Sequence, residues 1–229
     1  MKTVIIGGIA GGLSSASQIM REDHGAQVIV LEKSGDVSYA ACGMPYLIEG
    51  IVESADQLIA RKPEVFRKKQ NIDVRIRNEV VEIDPGKKRV RVNNLEDKSE
   101  FWESYDDLLI ATGTTPVWPE VAGIDAEGIF GLSTLQSGLN IFNFIRDHHP
   151  KMAVIVGGGY IGIEMAEALL ERNIKVKLLD MASEVMITMD PDMGCLISGY
   201  MREIGVELFL GEKLDHFKSK KRQGFRYCN

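Results

Sequence analysis

The chain opens with apolar runs separated by a glycine-rich turn and an amphipathic segment. Residues 2–6 are a short β-branched run that meets the glycine-rich sequence 7–12. Residues 13–20 place apolar side chains at helical spacing, and residues 28–31 form a second apolar run that ends at Glu32. This order predicts a strand, a glycine turn, a helix and a buried strand closed by an acid.

The same order of elements recurs in the second half of the chain. Residues 152–156 predict a strand, residues 157–162 read Gly-Gly-Gly-Tyr-Ile-Gly, and residues 163–172 predict an amphipathic helix. A further strand is predicted over residues 176–179 and ends at Asp180. One GxGxxG sequence is weak evidence, but two such units, each closed by an acid, predict two dinucleotide sites.

In the region between the two units, the spacing of apolar residues is typical of short strands. Apolar positions favour strands at 74–76, 80–83, 89–92 and 108–110, separated by turns at 84–87 and 93–94. We therefore predict an antiparallel meander over about residues 72–105. It returns to a buried strand that ends at Ala111, Thr112 and Gly113, small residues that let the backbone approach a ligand.

The remaining segments complete a domain prediction. Helices are expected at 63–70, near 137–146 and at 193–204, with a strand at 206–210. The predicted domains are 1–114, a Pro- and Gly-rich connector at 115–150, an incomplete second nucleotide-binding domain at 151–217, and an atypical basic tail at 218–229.

Composition narrows the classes of partner. The 229 residues carry a net charge of −6, which argues against nucleic acid because phosphate binding needs a basic surface. No apolar run approaches the ~20 residues of a membrane span, so no membrane partner is expected. The three cysteines, Cys42, Cys195 and Cys228, show no CxxC spacing. We expect neither a disulfide framework nor a metal site, and a reducing cytoplasm as the compartment.

The glycine turns have a physical role in binding phosphate. Glycines let the backbone approach a pyrophosphate, the helix N-terminus faces its charge, and the strand-end acid accepts from ribose hydroxyls. Glu32 and Asp180 occupy those acid positions. Asp180 repels a 2′-phosphate and residues 181–186 contain no Arg or Lys, so NADH is favoured over NADPH. The alternative is that the glycines only form structural turns.

Cys42 lies in a turn-forming sequence, Ala40-Ala41-Cys42-Gly43-Met44-Pro45, and not in a periodic apolar run. Pro45 suits the first turn of a helix. The unpaired N–H groups of a helix N-terminus favour a thiolate, which is the nucleophilic form of a cysteine. Cys42 is thus a candidate redox residue, and a cysteine that merely fills a tight turn is the alternative.

A basic cluster follows on the helix predicted over residues 63–70. It consists of Arg61, Lys62, Arg67, Lys68 and Lys69. A solvated helix face and a phosphate-binding patch are both compatible with this pattern.

Two dinucleotide units around one reactive cysteine resemble the pyridine nucleotide–disulfide oxidoreductases. Residues 38–46 are similar to the single-cysteine branch, which contains coenzyme A disulfide reductases, NADH oxidases, NADH peroxidases and NAD(P)H sulfur or persulfide reductases. The resemblance runs from residue 1 to about 217. It implies an α/β fold with two Rossmann-like dinucleotide-binding units and a β-meander insertion. We expect the C-terminal dimerisation domain of the family to be missing, which is a departure from its pattern.

The resemblance implies FAD at the first unit and the nicotinamide cofactor at the second. Tyr160 matches the residue that covers the flavin, and Glu164 the acid beside the nicotinamide carboxamide. The residues implied in cofactor binding are Gly7, Gly8, Ile9, Ala10, Gly11, Gly12, Glu32, Lys33, Val80, Ala111, Thr112, Gly113, Gly157, Gly159, Tyr160, Ile161, Gly162, Glu164 and Asp180.

The resemblance also implies a substrate site. In coenzyme A disulfide reductases, the residues that match Ser14, Gln18, Arg21 and Ser38 contact coenzyme A, although Arg21 also suits a solvated helix end. Ala10 replaces the histidine of the oxidases and peroxidases, which argues against peroxide splitting. Ala41 replaces an asparagine that the reductases often carry before the cysteine.

The function implied is an NAD(P)H-dependent flavoprotein that passes electrons through FAD to Cys42 and to a coenzyme A disulfide or persulfide. The alternatives are an NADH oxidase that reduces oxygen and a non-catalytic nucleotide-binding remnant. The resemblance implies a homodimer for the family, and for this sequence we expect neither the family's second FAD segment nor its dimerisation domain.

Overall fold

The computed structural model describes residues 1–218, and the chain divides into two compact units. The first unit comprises Met1–Ala40 and Asp56–Thr114, and the second comprises Ala41–Ala55 and the described part of Thr115–Asn229. Cys228 and residues 219–229 of the predicted tail lie outside the described residues.

The described residues form six α-helices and ten β-strands. The helices are α1 (Ala10–Glu22), α2 (Met44–Glu49), α3 (Pro63–Gln70), α4 (Leu135–His148), α5 (Tyr160–Glu171) and α6 (Pro191–Glu203). The strands are β1 (Lys2–Ile6), β2 (Gln27–Leu31), β3 (Ile72–Arg75), β4 (Asn78–Asp84), β5 (Arg89–Asn94), β6 (Glu100–Ser104), β7 (Asp107–Ile110), β8 (Met152–Val156), β9 (Lys175–Asp180) and β10 (Glu207–Leu210). Short 3₁₀ helices lie at Ala41–Gly43 and Ala55–Leu58.

The first unit is built on a four-stranded sheet in the order β3-β2-β1-β7, in which every paired strand is parallel. Its central strands are buried on both faces. Ile5 and Val30 pack with Leu13 of α1 on one face. Val4 packs with Val90 of β5 on the other face. Burial on both faces explains why β1 and β2 are continuous apolar runs.

The meander of the first unit is a separate antiparallel sheet in the order β4-β5-β6. The predicted meander started too early, because residues 72–75 form β3, which pairs in parallel with β2. Ile72 and Val74 of β3 are fully buried in the core beside α1, so burial assigns this strand to the parallel sheet.

Two further details of this region differ from the prediction. The turn expected at residues 93–94 lies at residues 95–97, because Asn93 and Asn94 continue β5 and pair with β4. Strand β6, in which the adjacent Phe101 and Trp102 lie between charged and polar residues, was not predicted. The strand at the sheet edge, β7, was expected to be buried, but Ile110 is 58% exposed.

The second unit is built on a three-stranded parallel sheet in the order β10-β9-β8. Its apolar core contains Val176 and Leu178 of β9, Met165 and Leu169 of α5, and Met201 of α6. The connector joins this core through α4, which contributes Ile145.

Residues 41–55, which the sequence analysis placed in the first domain, pack with the second unit. The reason is the apolar side of α2. Ile48 is fully buried in the same core as Ile145 of α4 and Met165 of α5.

Candidate functional site

The glycine turn of the first unit has two positions at which only glycine fits. Gly7 has a φ of +108°, and a Cβ on Gly7 would lie 2.2 Å from the carbonyl oxygen of Ala111. A Cβ on Gly12 would lie 1.9 Å from the carbonyl oxygen of Gly7. Real Cβ atoms do not approach other atoms so closely. These glycines therefore let β1, α1 and the end of β7 meet without intervening side chains.

The carboxylate of Glu32 is buried beside this turn. Its Oε2 atom accepts a hydrogen bond of 2.7 Å from the N–H of Gly8, and its Oε1 atom accepts one of 2.8 Å from the N–H of Ser34. Each carboxylate oxygen has two lone pairs, so each retains capacity for one more donor such as a ribose hydroxyl.

The turn of the second unit repeats this geometry. Gly157 has a φ of +109°, and a Cβ on Gly162 would lie 2.0 Å from the carbonyl oxygen of Gly157. The Oδ2 atom of Asp180 accepts a hydrogen bond of 2.6 Å from the N–H of Gly158, and its Oδ1 atom accepts one of 2.8 Å from Ala182. In each unit, the carboxylate of Glu32 or Asp180 therefore links the end of its strand to the glycine turn.

Both turns fit the diphosphate of a dinucleotide. Neither α1, whose N-cap is Ile9, nor α5, whose N-cap is Gly159, has a side-chain hydrogen bond at its N-cap. The first N–H groups of a helix have no intrahelical acceptor and favour an anion. Residues of both first turns are exposed, including Ala10, Gly11 and Tyr160.

The other residues predicted to bind cofactors differ in their place in the fold and in their exposure. Ala111 and Gly113 follow β7, and Gly113 has a φ of +68°. Lys33 is exposed next to Glu32, and Val80 is a half-buried residue of β4 that packs in the core below the meander. The remaining members, Thr112, Ile161 and Glu164, are exposed.

A cleft of about 400 Å³ lies in the first unit beside α1. It brings together three of the four residues predicted to bind the substrate, Ser14, Arg21 and Ser38. The fourth, Gln18, does not line the cleft. Its Oε1 atom accepts hydrogen bonds from the guanidinium of Arg21, so Gln18 orients Arg21.

Sequence reasoning missed Arg61 as a residue of this cleft. Arg61 lines it together with Ser17 and Phe66, and its guanidinium lies 6.0 Å from the Phe66 ring centroid. The basic cluster was the available signal, but its members differ. Arg67 donates to the carbonyl oxygen of Val74, which is a structural role. Only Arg61 of the cluster lines the cleft.

Cys42 lies in the 3₁₀ helix that directly precedes α2, and its side chain is exposed. Pro45 stands in the first turn of α2, as predicted, and Gly43 is the N-cap. The thiol is therefore open to solvent and to small molecules within its unit. Cys195 on α6 is also an exposed free cysteine.

Within residues 1–218, no group of three or more His, Cys, Asp or Glu side chains is arranged to hold a metal ion. In the same part of the chain, no helix has the length and apolar character needed to cross a membrane.

Residues 1–226 match the model of a family described as pyridine nucleotide-disulphide oxidoreductase. The chain belongs to this family. Solved structures similar to it also confirm the predicted α/β class. One is an NAD-dependent persulfide reductase from A. fulgidus, with a TM-score of 0.91 and 34% identity over 96% of this chain and 41% of that chain.

Two curated members of the family give the range of names among its relatives. Coenzyme A disulfide reductase of Staphylococcus haemolyticus is 33% identical over 98% of this chain and 52% of its own length. NADH oxidase of Methanocaldococcus jannaschii is 32% identical over 97% of this chain and 50% of its own length. The chain therefore spans about half the length of these relatives.

Proposed function

We propose that this chain binds FAD at its first glycine turn and NADH at its second, and that it reduces a coenzyme A disulfide or persulfide through Cys42. The observation that carries this proposal is the cleft in the first unit. Its lining includes Ser38, Tyr39 and Ala40, and Cys42 follows Ala40 by two residues in the chain.

The cleft has the chemistry of a site for a phosphorylated ligand. The guanidinium groups of Arg21 and Arg61 supply positive charge, and the hydroxyls of Ser14 and Ser38 supply further donors. A volume of about 400 Å³ lies in the range of ligand pockets. Coenzyme A carries its phosphates at the end remote from its sulfur. Two arginines in the cleft therefore suit its nucleotide end.

The strand-end acids favour the unphosphorylated nicotinamide cofactor. Asp180 keeps its carboxylate at the turn through Gly158 and Ala182, where it would accept from a ribose diol and repel a 2′-phosphate. Glu184 adds a second acid in residues 181–186, which contain no Lys or Arg. These features support NADH over NADPH.

The reaction at sulfur needs only one cysteine because the substrate supplies the second sulfur. The Cys42 thiolate attacks one sulfur of the disulfide, breaks the S–S bond and releases one coenzyme A thiolate. An electron pair and a proton then cleave the mixed disulfide at Cys42 and release the second thiol. A bound flavin would supply that electron pair from NADH.

The test is turnover by the chain after it has been loaded with FAD. Thiol release from coenzyme A disulfide and oxygen uptake are measured in parallel with NADH consumption. We expect one NADH consumed for two thiols released. The substitution Cys42→Ser should lower thiol release by roughly 100-fold or more because it removes the nucleophile. Cys195→Ser, on the exposed side of α6, should leave the rate unchanged.

Two outcomes would contradict the proposal. Oxygen uptake without thiol release would show an NADH oxidase. Loaded protein that consumes no NADH with either acceptor would show a nucleotide-binding chain without this activity.

A further inference from the structure

Helix α2, which follows the Cys42 turn, cannot be stable by itself. It has six residues, far fewer than an isolated helix needs in water. Its last carbonyl groups also lack partners within the helix. The position of the Cys42 turn therefore depends on what holds the two ends of α2.

The N-terminal end of α2 is held by close packing. Met44 lies against Gly138 of α4, where a Cβ on the glycine would be 3.1 Å from the Met44 sulfur. Gly138 is buried, and its lack of a side chain creates the space that Met44 fills.

At the C-terminal end of α2, Ile48 packs in the core and Arg172 binds the last carbonyl groups. Its Nε atom donates to the carbonyl oxygens of Ile48 and Glu49, each at 2.8 Å. The guanidinium also lies against Gly50, which has a φ of +102° and ends α2. A cation at a helix C-terminus is favoured by the partial negative charge of the free carbonyls.

Arg172 connects three helices of the second unit. It is the C-cap of α5, it bonds to the end of α2, and its guanidinium carbon lies 5.5 Å from the ring centroid of Phe142 in α4. Because α5 begins at the second glycine turn, Arg172 fixes α2 to the helix that carries the proposed nicotinamide site.

We propose that Arg172 is a positioning residue for Cys42: it clamps the end of α2 and thereby fixes the orientation of the Cys42 turn. The expected effect of Arg172 on turnover rests on the proposed function, in which Cys42 is the nucleophile. Arg172 is not among the residues that line the cleft of the first unit, and its hydrogen bonds to α2 are the contacts through which it would act on Cys42.

The experiment measures the mobility of a nitroxide label by electron paramagnetic resonance, which needs neither cofactor nor turnover. In a Cys195→Ser/Cys228→Ser background the label is attached to Cys42. Arg172→Gln should shorten the rotational correlation time of this label roughly threefold, because the carbonyls of α2 lose their donor. Arg172→Lys, which keeps the charge, should restore part of the order.

Two controls separate positioning from general stability. A label on Cys195, in a Cys42→Ser/Cys228→Ser background, should not change its mobility in Arg172→Gln. Phe142→Leu removes the ring beside the guanidinium but keeps the hydrogen bonds to α2, so it should leave the Cys42 label ordered. In turnover, Arg172→Gln should lower kcat about fivefold with KM for coenzyme A disulfide unchanged, since the cleft is intact.

Unchanged mobility at Cys42, or equal loosening at Cys42 and Cys195, would overturn the proposal. A rise in KM at constant kcat would overturn it as well. If Arg172→Gln does not fold, Arg172→Lys gives the same test. The proposal would be overturned if the Cys42 label in Arg172→Lys were as ordered as in the unchanged chain and kcat were also unchanged. Loosening of the Cys42 label as expected, together with an active Cys42→Ser variant, would instead remove the proposed function and leave the clamp, so the two failures are distinguishable.

Discussion

The two glycine turns of this protein, one in each unit, have the same geometry. The first glycines have φ values of +108° and +109°. The N–H of Gly8 donates to Glu32 at 2.7 Å, and the N–H of Gly158 donates to Asp180 at 2.6 Å. Because the two turns have the same geometry, residues that are shared by both are the ones that the fold requires, and residues that differ are not.

The turns differ at the middle position, where the first unit has Ile9 and the second has Gly159. Ile9 has a φ of −104°, which any residue adopts. A Cβ on Gly159 would meet no atom within 4 Å. Of the first, middle and last glycine positions of the motif, the fold therefore needs glycine at the first and the last. We propose that the middle glycine of the second unit leaves space for a ligand, whereas Ile9 of the first unit lines the cleft.

The largest expected effect comes from adding a methyl group at the last glycine of each turn. Gly12→Ala and Gly162→Ala should each destabilise their unit by about 3 kcal/mol or more, because the new Cβ would overlap a backbone carbonyl oxygen. Gly159→Ala should change stability by less than about 1 kcal/mol. Urea unfolding of the three variants measures the difference.

NADH titration of the same variants sharpens the comparison. Gly159→Ala should weaken NADH binding by about tenfold although the unit remains folded, because the methyl group occupies the space of the ligand. Equal destabilisation by Gly159→Ala and Gly162→Ala would show that the middle glycine is structural.

A smaller effect is expected in the cleft beside the first turn. Arg61→Gln should raise KM for coenzyme A disulfide by about tenfold, since it removes one guanidinium from a phosphate. It should not alter KM for pantethine disulfide, which lacks the nucleotide. Lys62→Gln is the matched control, because Lys62 is exposed and does not line the cleft. The same rise for both disulfides would remove Arg61 from phosphate recognition.

The smallest effect concerns Glu103, whose two ion pairs join the sheet and the meander of the first unit. Burial raises the pKa of Glu103, but hydrogen bonds from Lys2 and Arg75, each 2.6 Å, outweigh it and hold the pKa below its usual value. A carboxyl group with a lowered pKa stabilises the folded state at pH values above its pKa in the unfolded chain, which is about 4.3. This stabilisation is lost as the pH falls from there through the lower pKa of the folded state.

Glu103→Gln should therefore cost about 1 kcal/mol at pH 7 and progressively less as pH falls from about 5 toward 3. Urea unfolding is followed by the fluorescence of Trp102 in a Trp118→Phe background, because Trp102 lies in the meander beside Glu103. The exposed Glu120 provides the control Glu120→Gln. A cost that does not change with pH would exclude Glu103 as the titrating group.

The sequence allowed prediction of those features whose physics is local. The glycine turns, their helices and the acids at Glu32 and Asp180 follow from short-range periodicity and from backbone requirements within one unit. Helix α3 was predicted with the bounds that the structure shows, since Pro63 marks its first turn.

Features that depend on distant partners were not predictable. Strand β3 joins the parallel sheet because it pairs with β2, and its own residues do not specify that partner. Arg61 enters the cleft only when α1 and the loop before α3 come together. Arg172 meets Ile48 across 124 residues of chain. In each case the deciding contact lies outside any sequence window.

The central claim is that the two similar turns bind two different dinucleotides. The most direct measurement is the titration of FAD and of NADH into the unchanged chain and into Glu32→Gln and Asp180→Asn. We expect about one FAD to bind per chain. Glu32→Gln should weaken FAD binding about tenfold and leave NADH binding unchanged, and Asp180→Asn should weaken NADH binding about tenfold and leave FAD binding unchanged. A chain that stays colourless after incubation with FAD, or variants that weaken both ligands equally, would contradict the account.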